Sequence, residues 1–195
     1  MKLLAYIIVF LEGGALLSYE IMVAKMYTPH VGATLYVWTS ILTLTLISLA
    51  ISYRLSQYLV EKNKWNFLPL SLLISGLYIL GVVFTRNEIL PITYTMELKS
   101  ASLFTGFILL FFPVLGMGLT SPMISAWLTS RENNQHSGNF AGTVYGIGTL
   151  SGVICTLCCM FILMPAVGVN MTILLLALML FLASVLSFYF IKKTT

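Results

Sequence analysis

The stretch Phe10-Leu-Glu-Gly-Gly-Ala-Leu-Leu-Ser-Tyr-Glu-Ile-Met-Val-Ala-Lys25 decides how the chain is read. It lies inside a long apolar run, yet it carries Glu12, a glycine pair, Tyr19, Glu20 and Lys25. A lipid-facing helix has no use for such groups. A carboxylate near the centre of a bilayer helix costs about 2.5–3.5 kcal/mol on insertion scales, so it normally faces protein or a water-filled cavity. The spacing from Glu12 to Glu20 corresponds to roughly 80° around a helix axis and roughly 12 Å along it. One interior face can hold both carboxylates, with Leu16 and Tyr19 between them. The rest of the chain then reads as the wrapping of that face.

Working outward, the 195 residues are 59% hydrophobic and only 8% charged. Soluble domains carry about 25% charged residues, so the class is an all-α integral membrane protein. Continuous apolar runs also argue against barrel strands, which alternate in polarity. No Asp occurs, and the net charge of +4 comes from cations that flank apolar runs. That pattern speaks of membrane topology, and nucleic acid binding would need a concentrated basic patch. The N-terminus lacks a small-x-small cleavage site, and Glu12 interrupts its apolar core, so a retained first helix is expected.

Six runs approach the ~20 residues that a spanning helix needs. They cover about Leu3–Met26, Ala33–Tyr53, Phe67–Phe84, Ala101–Leu128, Phe140–Met164 and Val169–Ile191. Pro29 and Pro165 are expected to end helices. The expected architecture is one domain over residues 1–195, a six-helix bundle. Seven cations (Lys2, Arg54, Lys62, Lys64, Arg131, Lys192, Lys193) fall on the side of both termini, against Lys25, Arg86 and Lys99 on the other. Positive loops stay inside, so both ends are expected in the cytoplasm. Tyr53, Tyr58, Trp65, Tyr94 and Trp127 lie near run ends, where an interfacial aromatic belt belongs.

Two runs carry packing or hinge signals. In the fifth, Gly142, Gly146, Gly148 and Gly152 offer small faces that another backbone can approach. In the fourth, Pro113 and Pro122 bracket Gly116 and Gly118. Each proline removes a backbone donor and opens the helix about a turn upstream. Such broken helices line transporter sites, and they also occur as plain kinks. Glu12 reads either as a proton- or cation-coupling group or as a hydrogen-bonded structural carboxyl. Glu20, with Tyr19 and Lys25, reads as a cavity carboxylate for a cationic ligand or a partner helix, or as an interfacial ion pair. Cys155, Cys158 and Cys159 sit in an apolar run without His or Asp and read as small hydrophobes, so no metal is expected. No cofactor motif, Gly-x-Ser-x-Gly elbow or His-Glu-x-x-His motif is present.

Three blocks carry a family resemblance: Gly14-Ala-Leu-Leu-Ser-Tyr-Glu20 with Lys25, then Pro113…Met117-Gly118…Pro122, then Gly142…Tyr145…Gly148-Thr-Leu-Ser-Gly152 with Met164-Pro165-x-x-Gly168. In this order the chain resembles the membrane portion of the fused spermidine synthase-like proteins of bacteria. These are often described as major-facilitator-like transporters joined to an aminopropyltransferase domain. Val23 and Lys25 stand where that family has tryptophan and arginine, and Gly148 replaces an asparagine. The resemblance implies a bacterial inner-membrane protein equivalent to half of a major-facilitator transporter, with polyamines as its ligand chemistry. The soluble transferase domain has no counterpart here, so the expectation is a non-enzymatic, transport-related or scaffold subunit. Its expected partners are the lipid bilayer, a second copy or another membrane protein, and a separate aminopropyltransferase. The competing expectation is a purely structural subunit of a larger membrane complex. The expected ligand or partner residues are Glu12, Tyr19, Glu20 and Lys25.

Overall fold

A computed structural model describes residues 1–92, 95–131 and 137–193. Tyr94 and the loop residues Glu132, Asn133, Asn134, Gln135 and His136 lie outside the described residues. Among the described residues every regular element is helical. Helix α1 runs Lys2–Val31, α2 Leu35–Glu61 and α3 Phe67–Ile92. The next stretch is built from α4 Leu98–Gly106, a π turn Phe107–Phe111, α5 Phe112–Met117 and α6 Thr120–Arg131. The last comprises α7 Ser137–Cys158, a π turn Cys159–Leu163 and α8 Met164–Lys192. Together they give five helical stretches long and apolar enough to cross a membrane.

The helices outrun the apolar segments that announce them. Pro29 lies inside α1, which ends at Gly32 with a φ of 87°. A proline so close to a helix end removes one hydrogen bond where the last carbonyls would in any case look elsewhere for partners. The polar segment after Tyr53 continues α2 to Glu61, carried by Arg54–Gln57 and Gln57–Glu61 side-chain hydrogen bonds of 3.0 Å each. Neighbours three and four apart on a helix surface support it this way.

Each π turn precedes a proline by the same spacing. Phe107–Phe111 leads into Pro113, and Cys159–Leu163 leads into Pro165. Proline cannot donate to the carbonyl four or five residues back, and a widened turn relieves the clash of its ring. Before Pro113 the carbonyls concerned are those of Leu109 and Ile108. The Tyr19 hydroxyl of α1 donates to Leu109 O at 2.8 Å, and the Tyr78 hydroxyl of α3 donates to Ile108 O at 2.6 Å. Ser75 and Ser52 add donations to Pro113 O and Leu115 O at 3.0 and 2.8 Å. The break is thereby tied to three neighbouring helices.

The last stretch, Gly138–Lys192, counts 55 residues and would be roughly 80 Å long if straight. Gly168 interrupts it with φ 79° and ψ 170°. That backbone region is essentially reserved for glycine. A Cβ placed on Gly14 would lie 3.2 Å from Cys155 Cβ and 3.6 Å from Met179 Cε. Cys155 and Met179 stand on opposite sides of Gly168, and in one straight helix they would be roughly 36 Å apart. The chain therefore doubles back at Gly168.

Helix α1 is the most buried of the spanning stretches and touches every other long helix. The surface is apolar: Leu35, Leu46, Phe84, Phe161, Val185 and Phe188 are all exposed. Small polar residues fill the inside, including Ser48, Ser52 and Ser56 on one stripe of α2, Ser75, Ser151 and Ser184. Apolar burial gives helices little drive to associate in lipid, so small side chains and interhelical hydrogen bonds take over. The arrangement has the character of a multi-pass membrane protein.

Candidate functional site

Glu12 lies ten residues beyond Lys2 at the start of α1. That is roughly 15 Å along the axis, about half of a ~30 Å hydrocarbon core. Its side chain is only 3% exposed and lines a cavity of about 160 Å³ between α1, α2, α6 and α7. Ser121 of α6 donates to its Oε2 at 3.5 Å, a long hydrogen bond. Among the described residues, no Lys, Arg or His lines this cavity. The mouth is formed by Tyr53 of α2 and Tyr145 of α7, whose rings meet edge to face with centroids 6.2 Å apart. Both rings are part-exposed, at 41% and 39%. Thr149, one turn beyond Tyr145, is the remaining hydroxyl on the wall, and it donates to Tyr145 O at 2.9 Å.

Close backbone approach shapes the cavity. A Cβ on Gly13 would fall 2.7 Å from Gly148 Cα, and one on Gly152 would sit 3.1 Å from Gly13 O. The glycine pair of α1 and the Gly148–Gly152 face of α7 are thus one contact. It brings Glu12 against the wall that carries Tyr145. Gly118 is equally confined, because its Cβ would lie 2.8 Å from Leu49 Cδ2 of α2. Gly116 faces α3, with a Cβ 3.1 Å from Ser71 O. Pro122 follows Ser121 and sits in the first turn of α6. The packing expectation divides along α7. Gly148 and Gly152 pack on α1, whereas a Cβ on Gly142 or Gly146 would meet nothing within 4 Å.

The other three residues expected at the site are elsewhere. Tyr19 is fully buried, with its hydroxyl on Leu109 O, away from the cavity. Glu20 is 7% exposed and faces the Thr45 side chain of α2, whose hydroxyl makes no hydrogen bond of regular geometry. Lys25 lies in a different cleft at the far end of α1. Of Glu12, Tyr19, Glu20 and Lys25, only Glu12 reaches this cavity. Tyr53, Ser121 and Tyr145 join it without having been singled out as site residues. Tyr53, expected in an interfacial belt, also lines the cavity. Trp127, expected in the same belt, is 9% exposed and packs on Phe190 with centroids 4.5 Å apart.

A carboxylate held among aromatic rings and hydroxyls, with no cation of its own in the cavity, suits a small organic cation. In its ionised form the carboxylate attracts an ammonium, and ring faces add cation–π attraction. The volume admits an alkylammonium group and is well below the ~300–1,000 Å³ of drug-sized pockets. The cysteines form no such centre: Cys155, Cys158 and Cys159 are free thiols, and no cluster of metal-ligating residues occurs among the described residues. Comparison with protein-family models, with characterised proteins and with solved structures finds no match to this chain.

Proposed function

We propose that the chain is a six-crossing membrane protein that binds a small organic cation at the Glu12 cavity, as a transport-related or scaffold subunit. The observation that carries the binding proposal is the buried, cation-free Glu12 beneath the Tyr53–Tyr145 mouth. Six crossings follow from counting the Gly138–Lys192 stretch as two antiparallel spans joined at Gly168. An even count puts both termini on one side, and the Lys and Arg distribution supports a cytoplasmic location for that side. The resemblance to the spermidine synthase-like membrane proteins suggests polyamines as the first cations to test, a separate aminopropyltransferase as partner, and the bacterial inner membrane as location. Half of a major-facilitator transporter would supply one wall of a central path. The role is binding or assembly, with no catalytic step assigned to this chain.

Titration calorimetry of the purified protein with 1,4-diammoniobutane, spermidine and the neutral 1,4-butanediol tests this reading. Saturable binding of the two ammonium ligands and none of the diol is expected. Equal behaviour of all three would overturn it. Protease protection of a C-terminal tag, cleaved only from the cytoplasmic side, checks the orientation.

A second reading, a structural subunit without substrate, draws on one observation. Among the described residues, a Cβ on Gly138, Gly142 or Gly146 would meet nothing within 4 Å. Cross-linking through cysteines placed at Gly142 and Gly146 would detect a helix seated there.

A further inference from the structure

We infer that the end of the bundle opposite the termini carries a binding site for a phosphate-bearing anion, independent of the Glu12 cavity. A cleft of about 390 Å³ lies between the last turns of α1 and α3 and the reversal at Gly168. Lys25 and Arg86 line it together with His30, Asn87 and Asn170. Three separated parts of the sequence thus converge on one cleft with cations and hydrogen-bond donors. Arg86 is half-buried and Lys25 exposed. Neither makes an ion pair with a carboxylate among the described residues.

The distribution of the other charges sharpens the point. Three cations flank the apolar runs at this end of the bundle, Lys25, Arg86 and Lys99. Lys99 is occupied elsewhere, with its Nζ 5.7 Å from the centre of the Tyr36 ring. The two that remain share the cleft. Basic residues are disfavoured on the outer side of a membrane protein, so two converging there call for a local reason. Depth supplies the ligand chemistry. Lys25 is roughly 35 Å along α1 from Lys2, and Arg86 is roughly 29 Å along α3 from Phe67. A hydrocarbon core of ~30 Å puts both heads at the level of lipid phosphates. A guanidinium offers paired donors that match phosphate oxygens, and an ammonium beside it adds charge. The site therefore fits a phosphate oxyanion, from a lipid headgroup or from free phosphate.

Native mass spectrometry of the purified full chain distinguishes these sources. One arm adds phosphatidylglycerol or phosphatidylcholine to delipidated protein, and the other adds inorganic phosphate alone. Preferential retention of phosphatidylglycerol identifies a headgroup, and retention of inorganic phosphate identifies the free anion. Lys25→Gln combined with Arg86→Gln should weaken whichever binds by about thirtyfold, the loss of two interfacial cations. The charge-preserving pair Lys25→Arg and Arg86→Lys should keep most of it, which separates lost charge from lost folding. Lys62→Gln with Lys64→Gln, at the opposite end, should change nothing. Binding of neither anion by the wild type, or equal binding by the Lys25→Gln/Arg86→Gln variant, would overturn the inference.

Discussion

Glu12 and Glu20 are two carboxylates on one helix, and their surroundings could hardly differ more. Glu12 meets a cavity, two tyrosine rings at its mouth and one distant hydroxyl. Glu20 meets a threonine on the neighbouring helix and lines no cavity described above. Their spacing does put both toward the protein, as the cost of exposing either to lipid requires. What separates them is the partner wall. Opposite Glu12, Gly13 and Gly148 draw α1 and α7 together, and Gly118 lets the backbone come equally close to Leu49 of α2. Opposite Glu20 stands the Thr45 side chain of α2. Of the two carboxylates, the one that lines the cavity is the one beside these glycine-mediated helix contacts.

The contrast can be broken at that helix contact. Gly13→Val should have the largest effect on the fold. Its Cβ would collide with backbone atoms of Gly148, which cannot swing away as a side chain can. Overpacking of this kind costs about 1–3 kcal/mol or more, visible as a lowered midpoint in thermal unfolding of the detergent-solubilised protein. Tyr19→Phe comes next. It leaves Leu109 O unsatisfied beside Pro113 and should cost about 1–3 kcal/mol, read in the same unfolding measurement, while cation binding stays intact. A loss of binding without loss of stability would return Tyr19 to the site.

Smaller effects sharpen the comparison. Glu20→Gln keeps a polar group facing Thr45 and should alter stability by less than about 0.5 kcal/mol, with cation affinity unchanged in calorimetry. Gly146→Ala should be smallest of all for the isolated chain, because its Cβ enters open space. A drop in dimer fraction for this variant, measured by light scattering at unchanged unfolding midpoint, would mark its face as an assembly surface.

The apolar runs announced the helices because lipid leaves a chain almost no other way to satisfy its backbone. The reversal was legible to within a few residues: Pro165 is expected to end the helix, yet it sits in the first turn of α8 and the break falls at Gly168. Helix ends were not. Pro29 and the Arg54–Glu61 segment look like breakers or loop, but a helix end tolerates proline and polar residues wherever water or headgroups begin. The opening upstream of Pro113 follows from the missing N–H, yet nothing local to that helix says that Tyr19 and Tyr78 would cap the freed carbonyls. Tyr19, expected as a ligand residue, has its hydroxyl on Leu109 O instead of in the Glu12 cavity. Tyr53, Ser121 and Tyr145 come from three different helices, and their meeting at Glu12 depends on how those helices pack. Likewise Gly142, Gly146, Gly148 and Gly152 look alike in sequence, and only the position of α1 tells the packed pair from the open pair.

The central claim is that Glu12, and not Glu20, receives a cation. The most direct test compares spermidine affinity by titration calorimetry for the wild type, Glu12→Gln and Glu20→Gln, each with its unfolding midpoint recorded. Loss of a charged hydrogen bond in a buried site predicts roughly tenfold to hundredfold weaker binding for Glu12→Gln and an unchanged constant for Glu20→Gln. Equal affinity in the wild type and Glu12→Gln, with both proteins folded, would contradict the account.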